Sequence, residues 1–243
     1  MGLDRAVEER RSIRRYVDKP IDASVLDALD AYVAECNREG GLRMQLMRNE
    51  TKGFKGIIGR VNFTGVSNYL ALVGPDDAEL DEKCGYWGEK VLLRATQLGL
   101  GSCWFGGGFK KSAIELAPGE RGVIAIALGY PAQEGRVHKS KDISTLAVVQ
   151  PGKTPDWFAR GARYAQLAPT ARNQQSFRLT LLAEGDADGD VSTSAAADDV
   201  TGGSDGKSRV KAESLGGMLA ALDLGIVKYH FEVGAGIENF VWV

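Results

Sequence analysis

Histidine and cysteine are scarce in this chain, and their scarcity closes off several chemistries. Among 243 residues there are 2 His and 3 Cys. Cys36, Cys84 and Cys103 are odd in number and lack C-x-x-C spacing, which fits reduced, buried thiols and not a disulfide frame. His138 and His230 lie far from any cysteine cluster, so a metal site has little to be built from and none is expected. Charge of one sign is missing as well: 30 Lys+Arg against 32 Asp+Glu leave a formal −2. That balance gives no footprint for nucleic acid or an anionic membrane. No apolar run reaches the roughly eighteen residues of a membrane span. The opening MGLDRAVEERRSIRRY has no signal-peptide core, and Ala6 stands where a myristoylation signal after Gly2 needs Ser or Thr. The expectation is a cytoplasmic protein with a small-molecule partner.

With 44% hydrophobic and 26% charged residues, the chain has material for one large core or two fused small ones. Asp22 opens a helix whose apolar positions Val25, Leu26, Leu29, Tyr32 and Val33 keep helical spacing up to Gly40-Gly41. Strand-like runs follow near 42–48 and 68–74. A long helix from Glu82 to Leu98 stops at Gly99-Leu-Gly101, and Ser102–Phe105 reads as a short strand. Gly106-Gly-Gly108 requires a tight or left-handed passage. Val123–Leu128 is a continuous apolar run, the pattern of a strand buried on both faces. Linker composition near 149–155 divides residues 1–150 from 151–243. The second part is expected to hold a helix near 155–167, a strand near 177–183 and a helix near 212–224. The Gly-, Asp-, Ser- and Ala-rich stretch 185–207 reads as a loop.

Within and beside that loop, Gly206-Lys207-Ser208 mimics the end of a P-loop. Thr201 occupies the place of its first glycine, and no apolar strand precedes it. Gly-x-Ser-x-Gly is absent, and Gly99–Trp104 fails the dinucleotide pattern. The two parts nevertheless echo one another. At an offset of 126, Leu93, Ala95, Leu98, Gly99 and Phe105 match Leu219, Ala221, Leu224, Gly225 and Phe231, with the expectation that each helix ends in Leu-Gly and leads into a short aromatic strand.

Two segments carry candidate chemistry. Glu9-Arg-Arg-Ser-Ile-Arg-Arg-Tyr16 groups four guanidinium forks and a hydroxyl, suited to a phosphorylated ligand; the ordinary alternative is a solvated basic turn pairing with Glu8 and Glu9. Ala168-Pro-Thr-Ala-Arg-Asn-Gln-Gln175 combines small residues with the Asn173 amide, which could match the edge of a ring imide; the alternative is a turn-rich helix C-terminus. Cys103 and Trp104 are expected to be plain core.

Together with Leu98–Gly107 and Leu128-Gly-Tyr-Pro-Ala132 and the basic residues after it, these segments resemble the FMN-dependent nitroreductase family. The resemblance implies an α+β fold with a central, mainly antiparallel sheet flanked by helices. In family members the Pro-Ser-x-x-Asn loop follows the arginine segment in the first helical unit, whereas here it reappears in the second part. Because family members are homodimers with flavin sites at the interface, this displacement implies an intrachain pseudo-dimer that keeps one site, a monomer with an internal pseudo-two-fold. Carried over, Arg10, Arg11, Ser12 and Arg14 would bind the FMN phosphate, ribityl chain and pyrimidine edge. Pro169, Thr170, Ala171 and Asn173 would meet the ring from the other half. Gly106 and Gly107 would bring a backbone N–H to flavin N5, and Lys139 or Lys141 would add a phosphate cation. Thr170 and Ser176 depart from the usual Ser and Pro. The implied activity is reduction of nitroaromatics, quinones or similar flat acceptors with NAD(P)H; the alternative is a non-catalytic flavin-binding or structural relic.

Overall fold

The computed structural model describes residues 1–106, 109–150, 152–183 and 207–243. The first four strands make one sheet: β1 (Gln45–Met47), β2 (Asn68–Pro75), β3 (Gly101–Phe105) and β4 (Glu120–Gly129) lie in the order β1-β2-β4-β3, every pair antiparallel. A second sheet has β5 (Ala147–Val149), β6 (Phe177–Leu181), β7 (Ser208–Ser214) and β8 (Phe240–Trp242) in sequential order. There β6 and β7 are antiparallel, while the outer pairs are parallel. The α+β class stands, but two sheets replace the one expected, and the second is mixed. Each parallel pair is joined through a helix, as parallel pairing requires.

The helices are α1 (Leu3–Glu9), α2 (Ala23–Gly40), α3 (Ile57–Asn62), α4 (Leu80–Gln97), α5 (Ile143–Leu146), α6 (Asp156–Gln166) and α7 (Ala220–Ala235). Gly41, left-handed at φ 62°, ends α2 where the sequence placed its stop. On β2 and β4, Leu70, Leu72, Ile124 and Ile126 face the main core with α2 and α4. Their neighbours Tyr69, Ala71, Ala125 and Ala127 face a second cluster containing Phe54, Phe63 and Phe105. Burial on both faces explains the unbroken apolar runs. The central packing is α4 against α7, with α6 on the far side of α7.

The expected helix near 212–224 is a strand followed by a helix: β7 ends at Ser214 and α7 begins at Ala220. Consequently the 126-residue repeat does not survive. Leu224 and Gly225 lie inside α7, and Phe231 is helical. What corresponds instead is a strand and the helix after it: β2 and α4 start at Asn68 and Leu80, β7 and α7 at Ser208 and Ala220, a separation of 140 residues in both cases. The linker expected to divide the chain at 150 falls just after β5, which already belongs to the second sheet. Gly107, Gly108 and 185–206 lie outside the described residues. Ser208 opens a strand where a P-loop needs a helix.

Candidate functional site

The arginine segment is extended and held by isolated bridges, the first of them to β3. Ser12 bridges Ser102, Ile13 N–H donates to the Ser102 carbonyl at 2.8 Å, and Tyr16 N–H donates to the Thr64 carbonyl at 2.9 Å. Ile13 and Tyr16 are buried while Arg14 and Arg15 are exposed. The apolar pair thus fixes the segment and leaves the Arg14 and Arg15 side chains in solvent.

The opposite wall comes from the loop after α6. Arg172, Asn173 and Gln175 hold positive φ of 52°, 57° and 44°, a conformation unfavourable for residues with a Cβ and retained only where surroundings over-determine it. Those surroundings are visible. Gln175 N–H donates to Thr170 Oγ1 at 3.0 Å, Asn173 Nδ2 and Gln175 Nε2 donate to the Lys139 carbonyl at 2.8 and 2.9 Å, and Lys141 N–H donates to Gln175 Oε1 at 2.8 Å. On the other side Ala171 N–H reaches both carboxylate oxygens of Asp223 at 3.0 Å, and Gln174 Nε2 reaches Oδ2 at 2.8 Å.

Between the two walls lies a cavity of about 460 Å³. Cys103, Phe105 and Ile124 of the first sheet contribute an apolar floor; Ser12 and Arg14 stand at one side, Pro169, Thr170 and Ala171 at the other. Gly106 also lines it, and a Cβ there would come within 3.0 Å of Leu219 Cδ1. An adjoining cavity of about 340 Å³ shares Ser12, Arg14 and Asn62 with the first and adds the cations Arg15 and Arg136 and one carboxylate, Glu134. The pair suits a flat ring in one chamber and a phosphate in the other, where planar guanidinium forks match the anion.

Other expected site residues stand elsewhere. Arg10 is 5% exposed, with Nε 4.0 Å from Glu89 Oε1; burial lowers its pKa, partly offset by Glu89. Arg11 donates to the Glu8 and Arg10 carbonyls. Lys139 and Lys141 do not line either of these two cavities; Lys141 Nζ donates to the Gln175 carbonyl at 3.1 Å. The Asn173 amide is committed to Lys139 and is not on the cavity wall. The cation sequence reasoning missed after the Gly-Tyr-Pro turn is Arg136, and proximity in sequence alone could not rank it above the two lysines.

Trp104 is more than core. Its indole N–H donates to Glu89 Oε2 at 2.8 Å while the residue lines the cavity. Glu89 Oε1 meets His230 Nε2 at 2.8 Å, and His230 Nδ1 lies 3.1 Å from the Tyr164 carbonyl. Asp223 was also missed, though a lone acid in the apolar stretch 219–227 was a signal. Burial raises its pKa to about 6 against the opposing bonds from Gln174 and Ala171. Burial likewise pushes the Cys103 thiol up.

A protein-family model described as "Putative TM nitroreductase" matches residues 3–235. The chain belongs to that nitroreductase family. A nitroreductase structure from Thermotoga maritima is similar over 96% of this chain and 83% of its own, with 18% identity and a TM-score of 0.61, so the nitroreductase fold is shared. A nitroreductase from Desulfovibrio desulfuricans, solved in complex with FMN, aligns with 64% of this chain and 99% of its own at 21% identity; its TM-score of 0.49 is too low to bear on this one. No curated protein matches the chain. Among the described residues, no helix is long and apolar enough to cross a membrane.

Proposed function

We propose that this chain is an FMN-dependent oxidoreductase that takes electrons from NAD(P)H and reduces a flat acceptor such as a nitroaromatic or a quinone. The observation that carries the reading is the single cavity walled by Ser12 and Arg14 on one side and Pro169–Ala171 on the other, opening beside an arginine-lined chamber. Ser12, Arg14, Arg15 and Arg136 would hold the phosphate and ribityl chain. Gly106 and Thr170–Ala171 leave room for ring and backbone to approach closely. FMN, when bound, would supply the hydride chemistry, and the protein would supply position and charge.

Lys139, Lys141 and Asn173 act in this reading by holding the strained loop, and Arg10 by its buried pairing with Glu89. Because the two walls come from residues 1–150 and 151–243, one chain suffices, and the protein works as a monomer with two related halves. The three cysteines are free and buried, which suits a reducing compartment such as the cytoplasm.

Reconstitution tests this directly. Titration with FMN should saturate at one flavin per chain, light scattering should give a monomer, and anaerobic NADH or NADPH should bleach the bound flavin. A stoichiometric flavin that neither donor bleaches would replace the enzyme by the flavin-binding relic; absence of flavin binding would leave only the structural relic.

A further inference from the structure

The described residues lining the main cavity include a single carboxyl group, that of Asp223. It sits in the first turn of α7 and is 7% exposed. Ala171 N–H donates to both of its oxygens and Gln174 Nε2 to Oδ2, which fixes the carboxyl against the loop forming one wall. The other ionisable groups on the lining are Arg14 from the N-terminal segment, Arg172 from the loop and Cys103 from β3. A guanidinium stays protonated, and the thiol is pushed up by burial. Of these groups only Asp223 is both a proton donor and able to cycle near neutrality, its carboxyl being raised to about 6 by burial.

We propose that Asp223 is the acid that protonates the electron acceptor while the acceptor is reduced in this cavity. The proposal rests on the flavin reading above. Two-electron reduction of a quinone takes one hydride, delivered with its electron pair by the reduced flavin, and one proton. The Asp223 O–H bond breaks, a quinone oxygen gains that proton, and the remaining carboxylate takes up a replacement proton from hydronium or a buffer acid of the bulk solvent. General acids of this kind contribute about 100-fold or more when matched to the operating pH. A group near 6 meets that condition in the mildly acidic to neutral range.

The decisive comparison is stopped-flow measurement of the two half-reactions in FMN-loaded wild type and Asp223→Asn. Flavin reduction by NAD(P)H should be nearly equal in the two. Reoxidation by benzoquinone should fall with pH above about 6 in wild type, toward the rate of the variant, which should be flat with pH and about tenfold or more below the wild-type rate at about pH 5. In flavin-free protein, the infrared band of a protonated carboxyl should disappear between pH 5 and 7 in wild type and be missing from Asp223→Asn, a readout independent of turnover and of the variant's activity. Equal slowing of both half-reactions would make Asp223 a positioning residue for the loop and overturn the proposal. So would a flat wild-type profile or a carboxyl band that does not titrate in that window. If wild type binds no FMN, or its bound flavin resists reduction, the flavin reading falls and takes the proposal with it; normal reduction with an unaffected variant removes the proposal alone.

Discussion

Gly85 of α4 and Gly225 of α7 each lie against the other helix's backbone. A Cβ on Gly85 would stand 2.0 Å from the Leu222 carbonyl oxygen, and one on Gly225 would stand 2.0 Å from the Glu82 carbonyl oxygen. Each glycine is thus opposed by the carbonyl three residues before the other, a reciprocal contact at the crossing that joins the two sheets' helices.

From this contact, Gly85→Ala and Gly225→Ala should each destabilise the fold by about 1–3 kcal/mol, although alanine normally favours a helix over glycine. Because both act on one crossing, the double variant should cost less than the two singles added. Urea unfolding of all three proteins measures this. A stabilised Gly85→Ala protein would show that the helices do not cross at this distance.

Glu89 is fully buried and serves Trp104, His230 and the Arg10 guanidinium. Glu89→Ala leaves a buried cation without its counter-charge and an indole N–H without its acceptor, so a loss of about 3–5 kcal/mol is expected. Glu89→Gln should retain part of it through the amide oxygen. Thermal melting followed by tryptophan fluorescence reports the stability and the Trp104 environment together.

The Asp223 carboxyl, raised to about 6 from an unfolded value near 4, makes stability depend on pH with a definite sign. The folded state binds this proton more tightly than the unfolded one, so its contribution is complete below about pH 4 and is lost as pH rises through about 6. Asp223→Asn removes the titration. The melting temperature of the variant minus that of wild type should therefore increase by a few degrees between pH 4 and pH 7 in flavin-free protein. A difference that stays constant across that range contradicts the assignment.

For cofactor binding, Arg14→Ala and Arg136→Ala should each weaken FMN by about tenfold, since charge-assisted bonds to phosphate contribute about 1.5–3 kcal/mol. Raising the salt concentration should weaken wild type more than either variant. Lys141→Ala should alter FMN affinity less than either arginine change, because Lys141 holds Gln175 and does not line either chamber. Isothermal titration with FMN and with riboflavin separates the phosphate contribution from that of the ring.

Much of the first sheet was legible because its signals are local. Val123–Leu128 announces a doubly buried strand, Asp22 and Gly41 bracket α2, and Gly99, at φ 84°, follows α4. In the second part the same rules failed. Helix α7 is buried against both α4 and α6, so it has no polar face, and without an amphipathic stripe its ends could not be placed. β7 buries only Val210 and reads as polar helix.

The sequence by itself determined that two segments, Arg10–Arg14 and Pro169–Asn173, carry the candidate chemistry and that the chain resembles nitroreductases, because motif identity and hydrophobic period are properties of neighbouring residues. Which of those residues line the cavity was decided only by tertiary structure. Arg10 turned inward because Glu89, distant in sequence, offered a buried counter-charge; Asn173 turned to Lys139 because a left-handed backbone aimed it there. Arg136 and Asp223 reached the two chambers through contacts that no local pattern records. A side chain's direction is set by partners far along the chain, and those partners meet only when the two sheets and their helices have packed.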